Sequence, residues 1–135
     1  MNGYFIKSSN ITPAIYFDPE NQILDIRGKS APLEPLRIYE QVYDSIDQYK
    51  NSGHKKLKVN LALKSVDTSS FKCLYTVLKK LDLSGKIINL NWYYENDNLE
   101  MKDKGMEVSK LINIQFNLKD VNEIKVEQLE RIMAY

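Results

Sequence analysis

Apolar and polar residues alternate in every stretch of this chain that reads as a β-strand, and that alternation restricts the fold more than any other feature. Leu57-Lys58-Val59-Asn60-Leu61-Ala62-Leu63 alternates for most of its length. Ile87 to Tyr94 places Ile88, Leu90, Trp92 and Tyr94 on one face and Ile87, Asn89, Asn91 and Tyr93 on the other. Ile114, Phe116 and Leu118 alternate with Gln115 and Asn117. A period of two is the mark of a half-buried strand. Strands covered by helices on both faces are apolar almost throughout. Lys58, Asn60, Asn89, Asn91, Gln115 and Asn117 are too polar for a second buried face, so the helices should pack on one side. The other side should face water or a partner.

The rest of the chain fills in that layout. Tyr4 to Ile6 reads as a short strand or an ordered arm. Thr12 to Phe17 reads as a strand opening at Pro13, a position where strands tolerate proline. Asp18-Pro19-Glu20-Asn21 is a turn, and Gln22 to Gly28 alternates again, with Leu24 and Ile26 opposed to Asp25 and Arg27. These two strands form an antiparallel hairpin. Lys29 to Pro35 is a connector with two prolines. A helix follows over 36–50, with Leu36, Tyr39, Tyr43 and Ile46 as its apolar stripe, flanked by Val42 and Tyr49. Gly53 closes it. Phe71, Leu74, Leu78 and Leu81 share one face of a second helix over 69–83, closed by Ser84-Gly85. A third helix runs over 99–111, capped by Glu95-Asn96-Asp97-Asn98. Gly105 inside it lowers helix propensity by ~1 kcal/mol and predicts a kink. Val126, Leu129, Ile132 and Met133 indicate a final helix within 122–135. Strand, helix, strand order after residue 55 calls for parallel pairing with right-handed crossovers. The expected fold is a two-layer α/β domain over 1–135, a mixed sheet built from an N-terminal hairpin and parallel strands, with helices on one face.

Composition excludes several functions. There are 19 Lys and Arg against 18 Asp and Glu, a net charge of +1, far from the basic footprint of a nucleic-acid binder. No apolar run approaches the ~20 residues that span a bilayer, and the N-terminus lacks the pattern of a secretory signal. The one cysteine, Cys73, fits a reducing compartment, so a cytoplasmic protein is expected. Cys73 reads as a core or boundary residue. The single histidine, His54, falls in a turn with no Cys or His near it and reads as a solvated residue. The five glycines fall in neither phosphate-loop spacing, and no zinc site or catalytic triad can be assembled from one His and one Cys. Nothing in the chain calls for a metal or a cofactor, and an enzyme is not expected. Trp92-Tyr93-Tyr94 offers aromatic side chains of the kind favoured in interfaces, or a core face with one exposed tyrosine.

One stretch remains. Val66-Asp67-Thr68-Ser69-Ser70-Phe71-Lys72 joins the central strand to the second helix, and a single Asp, Ser or Thr suffices to cap a helix start. Four in a row exceed that need. Either the cap is over-supplied, or some hydroxyls face solvent, where a phosphate would meet unpaired N–H groups and the positive end of the helix dipole.

Asp67-Thr68-Ser69-Ser70, after a strand and opening a helix, resembles the phosphorylation site of the SiaC-type regulatory phosphoproteins. That family is similar in fold and in site placement to the STAS domains of anti-sigma-factor antagonists. The likeness extends to Thr12-Pro13-Ala14-Ile15, Asn91-Trp92-Tyr93-Tyr94-Glu95-Asn96-Asp97, Glu100-Met101, Gly105 and Val108 to Phe116, so it covers most of the chain. The resemblance implies a switch. Thr68 would be phosphorylated by a cognate Ser/Thr kinase and dephosphorylated by a PP2C-like phosphatase. The unphosphorylated form would bind and activate a diguanylate cyclase, raising cyclic di-GMP and promoting aggregation or biofilm formation. Asp67, Ser69, Ser70 and Lys72 would make up the surface around Thr68, with the serines nearer to caps than to acceptors. A phosphate adds about −1.5 to −2 charges, and a partner that buried the neutral hydroxyl would meet an uncompensated charge costing several kcal/mol.

Two other readings stand beside this one. A STAS-like module could oppose an anti-sigma kinase instead of activating a cyclase. Alternatively, a small-molecule binder or enzyme could use the polar sheet face, which would need a concave pocket lined by Asn60, Asn89 and Asn91.

Overall fold

The computed structural model describes residues 1–121; the helix expected within 122–135 lies outside the described residues. Strands β1 (Tyr4–Ile6), β2 (Ala14–Asp18) and β3 (Ile23–Ser30) lead to helix α1 (Pro35–Lys50). Then β4 (Lys56–Val66), α2 (Thr68–Asp82), β5 (Ile87–Tyr94), α3 (Leu99–Ser109) and β6 (Gln115–Asp120) alternate. The six strands form one sheet in chain order. β1, β2 and β3 pair antiparallel, and β3 through β6 pair parallel. This is the mixed sheet expected from the hairpin and the strand–helix repeats.

The alternation sorts side chains as its period requires. Ile15, Phe17, Leu24, Ile26, Val59, Leu61, Leu90 and Trp92 belong to one buried cluster with residues of the three described helices, so α1, α2 and α3 pack on the same face. α1 contributes Tyr39, Val42, Ile46 and Tyr49 to the core. Leu36, expected to open that stripe, is 54 % exposed, and Tyr43 is only half-buried. The stripe therefore starts one turn later than its hydrophobicity suggested. α3 is one unbroken helical segment, Leu99–Ser109, through Gly105. A Cβ at Gly105 would stand 2.7 Å from both Trp92 Nε1 and Leu118 Cδ1, so the residue is glycine because the helix backbone lies directly on the indole. Trp92 Nε1 in turn donates to the Met101 carbonyl at 2.9 Å. The aromatic run Trp92–Tyr94 is thus no exposed surface, since Trp92 and Tyr93 are both buried. His54 is likewise half-buried, stacked on Tyr49 with ring centres 5.5 Å apart.

The face that carries no helix among the described residues departs most from expectation. Lys58 and Lys119 at its margins are exposed, but Asp25, Arg27, Asn60 and Asn91 at its centre are buried. The pairing register places Asp25, Asn60, Asn91 and Asn117 in one transverse row across β3, β4, β5 and β6. Asn60 Nδ2 donates to Asp25 Oδ1 (2.7 Å), Asn91 Nδ2 to Asn60 Oδ1 (3.0 Å), and Asn117 Nδ2 to Asn91 Oδ1 (3.2 Å). Asn117 also donates to Asn89 Oδ1 at 2.8 Å. At the far end Arg27 Nη2 holds Asp25 Oδ2 at 2.6 Å. Buried amides persist where each donor finds an acceptor, and here they find one another. Because side chains change face with every one-residue slip, the row holds four strands in a single register.

Candidate functional site

The strand–helix junction at Asp67 is built from three directions. β3 and β4 lose one step of register between Gly28 and Lys29, so that Gly28 faces Leu63 and Lys29 faces Ser65. Gly28 has φ +106°, a conformation that costs glycine little and other residues much. Such a bulge re-aims the end of a strand. It carries Ser30 to the junction, where its carbonyl accepts the Asp67 N–H at 3.0 Å. The buried Ser30 hydroxyl shares a 2.8 Å hydrogen bond with the Tyr39 hydroxyl. Burial pushes the Tyr39 phenol up to about 12, against a smaller opposing effect of that hydrogen bond. The junction is thereby pinned to α1 as well as to the sheet.

Asp67 is the N-cap of α2. Its backbone is extended (φ −77°, ψ 171°), and its Oδ1 accepts the Ser70 N–H at 2.8 Å. Its carbonyl accepts the Phe71 N–H, also at 2.8 Å. Asp67 thus does the capping alone, and the hydroxyls of Thr68 and Ser69 have no part in it. Both residues are exposed in the first turn, as is Lys72 one turn later. Ser70 is different: it is fully buried, and its Oγ has no hydrogen-bond partner. Expected on the surface around Thr68, Ser70 is instead covered by the protein and unavailable to a kinase or a partner. The structure therefore brings Asp67, Thr68, Ser69 and Lys72 together at one exposed corner and removes Ser70 from it.

Beside this corner lies a feature that the sequence did not announce. An open groove of about 710 Å³ separates the start of α1 from the outer flank of α2, bounded by Leu36, Tyr43, Ser69, Lys72, Cys73 and Thr76. The Tyr43 hydroxyl donates to the Cys73 carbonyl at 3.1 Å, and desolvation raises its pKa to about 12. Leu33, just before the rim, is 95 % exposed. Leu33 and Leu36 thus place two apolar side chains in water at the α1 end of the groove. The only sequence signal was the Leu33-Glu34-Pro35-Leu36 segment itself, in which Leu36 read as core.

The amides proposed for a ligand pocket on the opposite face are engaged with one another, as described above. Asn89 alone borders a shallow depression, shared with Lys56, Lys58 and Gln115 at the lower edge of the sheet. Asn60 and Asn91 do not line it. A pocket formed by all three asparagines is therefore absent among the described residues. Among those residues, too, no helix is long and apolar enough to cross a membrane.

Comparison with known proteins agrees with this geometry. Residues 6–121 match the family described as SiaC family regulatory phosphoprotein. An uncharacterised protein of Pseudomonas aeruginosa (strain UCBPP-PA14) is 25 % identical over 126 residues, covering 91 % of this chain and all of that protein. Apo-SiaC from Pseudomonas aeruginosa superposes with a TM-score of 0.83 at 25 % identity, over 88 % of this chain and 99 % of the other. A structure of the diguanylate cyclase SiaD in complex with its activator SiaC, from the same organism, matches with a TM-score of 0.82 at 25 % identity, over 87 % and 98 %. With an exposed threonine in the first turn of α2 and a family match over most of its length, the chain belongs to the SiaC family of regulatory phosphoproteins.

Proposed function

We propose that this protein is a cytoplasmic, non-enzymatic switch whose unphosphorylated form binds and activates a diguanylate cyclase, and that phosphorylation of Thr68 blocks that binding. The observation that carries the reading is the division of labour in the first turn of α2: Asp67 caps the helix, and the Thr68 hydroxyl is exposed without a structural duty. Phosphorylation there leaves the fold intact, because the helix start favours a negative group. It acts on the partner instead. An interface that closes over the neutral hydroxyl and the adjoining groove cannot close over a dianion without stranding its charge. The relative that activates a cyclase supplies the partner class. A Ser/Thr kinase and a PP2C-like phosphatase set the state.

The test combines mass and binding. The protein is incubated with ATP and the kinase encoded beside it, mapped by mass spectrometry, and titrated against the cyclase by calorimetry. One phosphate on Thr68, absent from Thr68→Ala, with binding lost in the modified form, is the expected result. Phosphate confined to another residue, or equal cyclase affinity of both forms, would sink the reading. Capture of an anti-sigma kinase in place of a cyclase would retain the switch and replace the partner.

A further inference from the structure

Two lysines from different helices lie near the first turns of α2, where Thr68 is exposed. Lys72 lies four residues further along α2, on the same helix face. It is exposed and makes no ion pair among the described residues. Lys104 comes from α3. Its Nζ sits 5.6 Å from the centre of the Phe71 ring, and Phe71 is three residues from Thr68, again on the same face. A second ammonium therefore lies against Phe71, about one helical turn from Thr68. At present Lys104 is paired with Glu100 at 3.1 Å, a carboxylate whose side chain is 71 % exposed. An exposed pair of this kind contributes little and exchanges readily, whereas a phosphate dianion offers more charge and three acceptor oxygens.

We propose that phosphothreonine 68 is clamped within the protein by Lys72 and Lys104, with Lys104 leaving Glu100 to reach it. The clamp rests on the reading of Thr68 as the modified residue and describes how that modification is held. Two consequences distinguish it from simple repulsion. Lys72 borders the groove beside α1, so engaging the phosphate withdraws a groove-wall cation from any partner. Lys104 belongs to α3, so the modified protein acquires an ionic tie between α2 and α3 where the unmodified protein has the Lys104–Phe71 contact. Asp67 and Glu100 are the acidic groups that oppose the clamp, and removing the charge of Glu100 frees Lys104 for it.

The experiment installs phosphothreonine at position 68 during translation and records its ³¹P resonance in the full-length protein. The reference is the same phosphothreonine in a peptide spanning 64–76. Wild type should show a resonance displaced from the peptide's. The displacement should shrink in Lys72→Ala and in Lys104→Ala, grow in Glu100→Gln, and stay unchanged in Lys79→Ala, which lies near the opposite end of α2. Each variant is checked for an unchanged melting midpoint. A wild-type resonance coincident with the peptide's, or a displacement that survives Lys104→Ala, overturns the clamp. Because no kinase is used, that failure leaves the switch itself standing. Conversely, a kinase that ignores Thr68 would sink the switch without affecting this result.

Discussion

The two faces of this protein treat polar groups in opposite ways. On the sheet face opposite α1, α2 and α3, an ion pair and a row of amides are buried and bonded to one another in a chain from Arg27 to Asn117. At the corner where α2 begins, the hydroxyls of Thr68 and Ser69 and the ammonium of Lys72 are exposed, beside leucines that a core would have accepted. The first region bonds its side chains to one another; those of the second face water. Polarity alone therefore says nothing about function here. What matters is whether a polar group already has its partner.

That contrast can be broken from either side. The largest effect belongs to the face with the buried amides. Removing one member of a buried ion pair typically costs about 3–5 kcal/mol, so Asp25→Ala should lower unfolding stability in urea by that amount. A loss below about 1 kcal/mol, the range of surface pairs, would mean the row is solvated after all. At the open corner the effects should move from stability to binding. Thr68→Asp should weaken cyclase binding by about a hundredfold, the equivalent of roughly 3 kcal/mol. Its melting midpoint should stay level or rise slightly, since a carboxylate suits a helix start. Equal losses in both measurements would show that Thr68 is a structural residue.

Smaller effects refine the boundary between the regions. Leu36→Ser should leave stability within about 0.5 kcal/mol of wild type and reduce affinity for the cyclase by about tenfold, some 1.4 kcal/mol. Unchanged affinity would remove the groove from the interface. Asp67→Ala should cost about 1 kcal/mol of stability through loss of the N-cap, readable in the same urea titration. If it costs nothing, a neighbouring hydroxyl has taken over the cap, and Thr68 and Ser69 are not free of structural duty.

Much of the architecture was legible because it depends on short-range pattern. The alternation in Leu57–Leu63 and Ile87–Tyr94 reported one covered face, and Phe71, Leu74, Leu78 and Leu81 reported the helix between them. The position of Thr68 was legible for the same reason, since a helix start is written in consecutive residues. Leu36 was misread because periodicity records hydrophobicity, not contact, and an exposed leucine at a helix start looks like one in the core. Asn60 and Asn91 were correctly excluded from the apolar core, but their partners lie on other strands. Which amide meets which depends on register, and no local pattern states it. Ser70 differs from Ser69 only in the direction it points from the helix, which decides between burial and exposure.

The row of amides also bears on how such a protein can change over generations. Asn60 and Asn91 in it are each donor to one neighbour and acceptor from another. A substitution at any one of them is tolerable only with a matching change on an adjacent strand, so this half of the molecule can be rewritten only several residues at a time. Leu33, Leu36, Ser69 and Lys72 carry no such mutual obligation and can be replaced singly without loosening the sheet. A lineage built on this frame can therefore vary the corner by single steps while the strands behind it stay as they are.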